Sequence, residues 1–114
     1  MALLSELFPG ITGFDWDEGN SAKTWQRHGV TQAEAEQVFL NRPLVAGEAH
    51  KQAAKEARQF VLGRTDQGRE LTVVFTLRRS LLRVISARPM SRKERRVYAQ
   101  SQEAEGGSYL SVRG

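Results

Sequence analysis

The run Arg69-Glu70-Leu71-Thr72-Val73-Val74-Phe75-Thr76-Leu77-Arg78 decides the fold. Leu71, Val73, Phe75 and Leu77 occupy alternate positions, with Thr72, Val74, Thr76 and Arg78 between them. Successive side chains of a strand point to opposite faces, so this pattern predicts a strand with one buried face. Arg79-Ser80 turns the chain into a second strand, Leu81–Arg88. There Leu82, Val84, Ser86 and Arg88 are expected on one face, and Leu81, Arg83, Ile85 and Ala87 on the other. On the N-terminal side, Thr65-Asp66-Gln67-Gly68 has hairpin-turn chemistry and follows a strand over Arg58–Arg64. Tight turns between consecutive strands predict antiparallel pairing.

Outward from this hairpin pair, Leu44-Val45-Ala46 predicts a further strand, and Glu48–Lys55 lacks an apolar stripe and reads as loop. Earlier still, residues 1–13 read as a loose lead-in, and Phe14-Asp15-Trp16 as a short strand. Asp17 is an N-cap for a helix over Glu18–Arg27, which Gly29 ends in the left-handed conformation. Thr31-Gln32-Ala33-Glu34 is a capping box opening a second helix that buries Ala35, Val38 and Phe39, with Pro43 closing it. Ser91-Arg92-Lys93-Glu94 is another capping box, starting a helix that carries Val97 and Tyr98 and stops at Gly106-Gly107. The order β-α-α-β-β-β-β-α predicts an α+β domain: an antiparallel sheet with two N-terminal helices and one C-terminal helix. The domain is expected to span residues 14–103, with 104–114 as a flexible tail.

Composition narrows the function classes. A chain of 114 residues accommodates one domain. Without cysteine there is no disulfide framework and no thiolate zinc site, which suits a reducing compartment. The N-terminal stretch is interrupted by Glu6 and Pro9 and lacks a positive leader region, so a cytoplasmic location is expected, with no membrane partner. Two histidines and scattered carboxylates give no metal-ligand spacing, so neither a metal nor a cofactor is expected. The net charge of +4 is unevenly spread. Arg78, Arg79, Arg83, Arg88, Arg92, Lys93, Arg95 and Arg96 fall within nineteen residues, opposed only by Glu94. Such a run predicts a polyanionic partner, either nucleic acid or an acidic protein.

Several motifs then resemble one family in order and spacing. They are Trp16-Asp17-Glu18-Gly19-Asn20, Lys23, Trp25, His28-Gly29-Val30, Glu56-x-Arg58, Gly63-Arg64-Thr65 and Gly68-Arg69. Val73-Val74-Phe75-Thr76, Arg83-Val84-Ile85-Ser86-Ala87-Arg88 and Ser91-Arg92-Lys93-Glu94-Arg95-Arg96-x-Tyr98 continue the set. From about Phe14 to Tyr98 the chain resembles the BrnT family of bacterial toxins. The resemblance implies a RelE-like fold, ribonuclease activity, and a BrnA-like antitoxin encoded next to it. That antitoxin would carry a ribbon-helix-helix domain, form a 2:2 complex, and supply the only contact with operator DNA. Two positions depart from the family pattern: Gln52-Ala53 stand where it has His-Ser, with His50 two residues away, and Thr24 replaces a frequent asparagine.

Metal-free RNA cleavage uses the neighbouring 2′-hydroxyl as nucleophile. It needs a base for that proton, cations for the phosphorane and an acid for the departing 5′-oxygen. Arginine suits the middle role, because its planar fork stays charged. Arg88, Arg64 and Arg83 are therefore the candidate charge stabilisers, with Arg88 first since it ends a strand just before the helix cap. His28 has the best intrinsic pKa for proton transfer, although a histidine in a helix's last turn also serves the dipole. Glu56 is the alternative proton acceptor, or a salt-bridge partner for Arg58 or Lys55. Arg58, Arg78, Lys23, Arg92 and Tyr98 are candidate RNA contacts. Lys23 and His28 lie about 140° apart around a helix and share no face. Tyr98 is either an acid or stacking group or a core residue, and Trp16 and Trp25 read as core. A non-catalytic nucleic-acid-binding or co-repressor module would use the same basic surface, as would a protein that only grips an acidic partner.

Overall fold

The computed structural model describes residues 8–41, 45–49, 58–105 and 110–111. In chain order the elements are β1 (Gly13–Phe14), α1 (Glu18–His28), α2 (Gln32–Leu40), β2 (Val45–Ala49), β3 (Arg58–Arg64), β4 (Glu70–Arg78), β5 (Leu81–Pro89), α3 (Arg92–Glu105) and β6 (Leu110–Ser111). Their sheet order is β1-β5-β4-β3-β2-β6. The pairs β2–β3, β3–β4 and β4–β5 are antiparallel, as tight turns require. The two outer strands are not. β1 runs parallel to β5, and β6 parallel to β2, so the α+β sheet is mixed rather than antiparallel throughout. Each outer strand reaches its neighbour through helix-containing chain, which is the long connection that parallel pairing demands.

The local chemistry accounts for the helices. Asp17 and Asn20 exchange hydrogen bonds at the start of α1, and Gly29, at φ 64°, ends it. Thr31 and Glu34 do the same for α2, which buries Ala35, Val38 and Phe39. α2 ends at Leu40 with Asn41 as its cap, so Pro43, which lies outside the described residues, is not its first stop. At the β3–β4 turn Gly68 takes φ 89°, a backbone shape that disfavours any other residue, and donates to the Thr65 carbonyl at 2.9 Å. Arg79 closes the β4–β5 turn at φ 55°, an uncommon setting for a residue with a side chain. Thr12 secures that turn, its N–H donating to the Ser80 carbonyl at 2.7 Å.

The lead-in is less loose than expected from residue 8 onward. Phe8 is buried and meets the Phe75 ring edge-on at 5.3 Å. Phe39 meets the same ring at 5.2 Å, also nearly perpendicular to it. Val30, Val38, Val61, Leu71, Val73, Val84 and Ala87 complete this main core between α2 and one sheet face. Truncating Phe39 or Phe75 to alanine should cost about 3–5 kcal/mol. A second, smaller core lies on the opposite face, where Met90 and Tyr98 pack on Leu62 of β3 under α3. Residues 104–105 are the last two of α3, and residues 110–111 form β6.

One irregularity redistributes the side chains. Val74 pairs with Ser86, but the next residue of β4, Phe75, pairs with Val84, so Ile85 is extra in β5. Strict alternation of β5 therefore fails at Ile85. Leu82 and Val84 join the main core before the bulge and Ala87 joins it afterwards, whereas Ser86 and Arg88 turn to the other side. β-bulges commonly re-aim side chains in this way.

Candidate functional site

Residues opposite each other in an antiparallel ladder share a face, so the register defines the surface away from the main core. Thr72 stands opposite Arg88, Val74 opposite Ser86, and Thr76 opposite Arg83. On β3 the same face carries Arg58, Phe60, Leu62 and Arg64. α3 covers Leu62 and Phe60. One residue beyond the Gln59–Phe75 pair, Arg58 comes level with Thr76. Arg58 and Arg83 thus flank Thr76 in one row, with backbones on the order of 10 Å apart. Arg88 lies roughly 13 Å along the sheet, across the intervening Val74–Ser86 row. The bulge at Ile85 puts Arg83 and Arg88 on this common face.

Each guanidinium has a different setting. Arg88 grips Glu94 with both terminal nitrogens, at 2.8 and 2.9 Å. Glu94 also accepts from the Thr72 hydroxyl and the Ser91 N–H, both at 2.8 Å. Ion-pairing with Arg88, assisted by Ser91 and Thr72 and opposed by burial, holds the Glu94 carboxyl at a pKa of about 2. The same bond raises the pKa of Arg88 further. Arg83 is mostly buried and held between Asp17, at 3.1 Å, and Asp15, at 3.5 Å. Arg83 in turn, with the Asn20 N–H, keeps the Asp17 carboxyl below its ordinary range. Arg58 is half-buried and has no hydrogen-bond or ion-pair partner among the described residues. Arg78 is exposed on the same face two residues beyond Thr76.

Other expected site residues lie elsewhere. Arg64 ends β3 six residues from Arg58, about 20 Å away along the strand. It is exposed and close enough to Tyr98 to act on its hydroxyl, so it does not join the Arg58–Arg83 row. Tyr98 is fully buried, and burial pushes its hydroxyl up to about 12. It is a core residue, inaccessible to a stacking base. Its hydroxyl makes no hydrogen bond within the described residues, unlike the satisfied core tyrosine expected. His28 ends α1, where its carbonyl accepts from Arg69 at 3.1 Å; its ring has no partner among the described residues. Lys23 and Arg92 are exposed on α1 and at the start of α3. Glu56, with Gln52, Ala53 and His50, lies outside the described residues. Trp16 packs against the core and donates to Glu36 at 2.7 Å, but Trp25 is 59% exposed, contrary to the core expectation.

Two residues escaped the sequence reading. Glu94 looked like a capping residue alone, although its place as the single acid among eight cations was a signal. Arg69 read only as the first residue of the strand run Arg69–Arg78. It reaches across to the carbonyls of Gly29 and His28, at 2.9 and 3.1 Å, and to Glu34 at 3.2 Å, clamping the helical hairpin to the β3–β4 turn. No group of three or more potential metal-ligating side chains occurs among the described residues. No helix among them is long and apolar enough to cross a membrane.

A family model described as "Ribonuclease toxin, BrnT, of type II toxin-antitoxin system" matches residues 16–94. The crystal structure of the Brucella abortus ribonuclease toxin BrnT is similar, with 23% identity and a TM-score of 0.52. The similarity covers 71% of this chain and 99% of the Brucella chain. None of the curated proteins compared with the sequence matches it.

Proposed function

The chain belongs to the BrnT family of ribonuclease toxins of type II toxin–antitoxin systems, and from that premise we propose that the sheet face away from the main core cleaves RNA without a metal. The observation that carries this reading is the convergence of Arg58, Arg83 and Arg88 on one face, two of them through the bulge at Ile85. A phosphate lying over Val74 and Ser86 would have guanidinium groups on three sides. The 2′-oxygen attacks phosphorus as its proton passes to a base. Charge then builds on the non-bridging oxygens, where fixed arginines stabilise it best. The P–O5′ bond breaks as O5′ takes a proton, leaving a 2′,3′-cyclic phosphate and a 5′-hydroxyl.

Glu94, held near 2 and occupied by Arg88, is too weak a base for this step near neutral pH. We assign the proton acceptor to Glu56, which precedes Arg58 by two residues in the chain; His28, held by Arg69 at the end of α1, lies by the β3–β4 turn and away from this row. Arg78, Arg92 and Lys23 serve as outer phosphate contacts. Arg64 and Tyr98 have no part in this arrangement.

The antitoxin encoded alongside is proposed to be a cytoplasmic ribbon-helix-helix protein forming a 2:2 complex that alone touches operator DNA. Regulated expression with and without the adjacent open reading frame should show toxicity and rescue. Purified protein should cut RNA in excess EDTA with the ends named above. Strict magnesium dependence, or 5′-phosphate products, would reject the chemistry. Folded, antitoxin-free protein that binds RNA and never cuts it would favour the binding-module alternative.

A further inference from the structure

Arg88 and Glu94 meet through more contacts than a helix cap requires. The capping box of α3 needs only Oε1 of Glu94 on the Ser91 N–H and the Ser91 hydroxyl on the Glu94 N–H. Oε1 nevertheless accepts also from Thr72 on β4 and from Nη1 of Arg88 on β5. Oε2 receives only Nη2 of Arg88. One carboxylate therefore joins β4, β5 and α3, and it does so on the face away from the main core.

The planar fork of arginine has five N–H groups and two usable edges. Glu94 and the Pro89 carbonyl take both Nη1 hydrogens and one on Nη2. The Nε–H and the second Nη2–H, which share the other edge, have no protein partner among the described residues. The Arg88 side chain as a whole is 36% exposed. A bidentate edge of this kind matches two oxygens of a phosphate.

We propose that Glu94 is a positioning residue for Arg88, locking one edge of its guanidinium so that the free edge receives the phosphate. This rests on the ribonuclease reading of the same face. Glu94 does not touch the substrate. It fixes a side chain that would otherwise sample several rotamers, and a phosphate would then meet it already oriented.

Charge gives the test its discriminating sign. Glu94→Gln removes a negative charge beside the phosphate, so affinity for a labelled single-stranded RNA should hold or tighten by a few-fold. Its saturated single-turnover rate should fall on the order of 10- to 100-fold, the loss typical when an outer group that orients a reacting one is removed. Ser91→Ala weakens the cap of α3 without touching the Arg88 fork, and should keep the rate within about threefold. It thus serves as the folding control. In an Arg88→Ala background, Glu94→Gln should slow cleavage no further.

A Glu94→Gln variant that cuts at the wild-type rate overturns the proposal. So does an equal loss in Ser91→Ala, or a Glu94→Gln effect that persists without Arg88. If wild type itself binds but cuts no RNA, the ribonuclease reading fails first and takes this inference with it.

Discussion

Arg83 and Arg88 project from the same face of β5 although five residues separate them. In a regular strand an odd separation puts two side chains on opposite faces. The extra residue between Val84 and Ser86 cancels one step of the alternation and brings the two cations together. It leaves Val84 and Ala87 both in the main core.

Deleting Ile85 should separate the fold from the aim. The shortened strand alternates regularly from Val84, so Ala87 and Arg88 keep their faces. The thermodynamic cost should then be about that of one half-buried isoleucine, roughly 1–2 kcal/mol. Arg83 and Arg88 still share a face, but removing the bulge should straighten the strand and change their spacing, so cleavage by the folded protein should slow at least about tenfold. Thermal melts and single-turnover assays measure the two effects. Wild-type rates from the deletion variant would remove the bulge from the site.

Acid should loosen α3 before the rest. The Glu94 carboxyl lies at about 2 against an ordinary value of 4.5, so the folded state holds it ionised more strongly than the unfolded chain does. Its contribution is fully present above about pH 4.5 and is lost as pH falls toward 2. Melting temperatures of wild type should drop through that window, and the drop should be smaller in Glu94→Gln. Parallel curves for the two proteins would show that the Arg88–Glu94 contact adds nothing to stability.

Arg69→Ala should destabilise without touching the chemistry. The side chain is about one-third exposed, yet it satisfies two carbonyls and Glu34 at once. A loss of about 1.5–3 kcal/mol is expected, the range for hydrogen bonds to a charged group. Urea denaturation gives the stability. The saturated cleavage rate of the folded variant should stay within a few-fold, and a larger fall would place the helical hairpin in the site.

Much of the fold was legible because local signals agreed. Asp17 and Gly29 bracket α1, Thr31 and Glu34 open α2, and the alternation of Leu71, Val73 and Phe75 describes β4. The parallel outer strands were not legible, since two-residue pairings such as Gly13 with Leu81 carry no periodicity. The bulge at Ile85 escaped for a related reason. Leu81–Arg88 satisfies strict alternation nearly as well as the true pattern, and only the ladder opposite Val74 and Phe75 distinguishes them. The arginines were recognised as a group, but their distribution was not. Arg64 shares a face with Arg58 yet lies a full strand length away, and only the length of β3 and the seat of α3 show that. Glu94 and Trp25 show the limit of residue type: the first reads as a cap, the second as core.

Arg58 offers the cleanest separation of catalysis from folding and from attraction. Arg88→Ala strands Glu94, and Arg83→Ala strands Asp15 and Asp17, so either change disturbs structure as well as chemistry. Arg58 has no such partner among the described residues. Arg58→Ala should therefore leave the melting curve almost unmoved, within about 0.5 kcal/mol. Arg96 provides the comparison. It is exposed on α3, and Arg96→Ala also removes one positive charge. The two variants should lose similar long-range attraction for RNA, screened alike by salt. They should differ in the saturated rate. If Arg58 meets the phosphorane, Arg58→Ala should slow single-turnover cleavage on the order of 100-fold, as removal of one oxyanion donor does. Arg96→Ala should weaken binding while keeping that rate within a few-fold. Equal, small effects from both would move the reaction away from the Arg58–Thr76–Arg83 row.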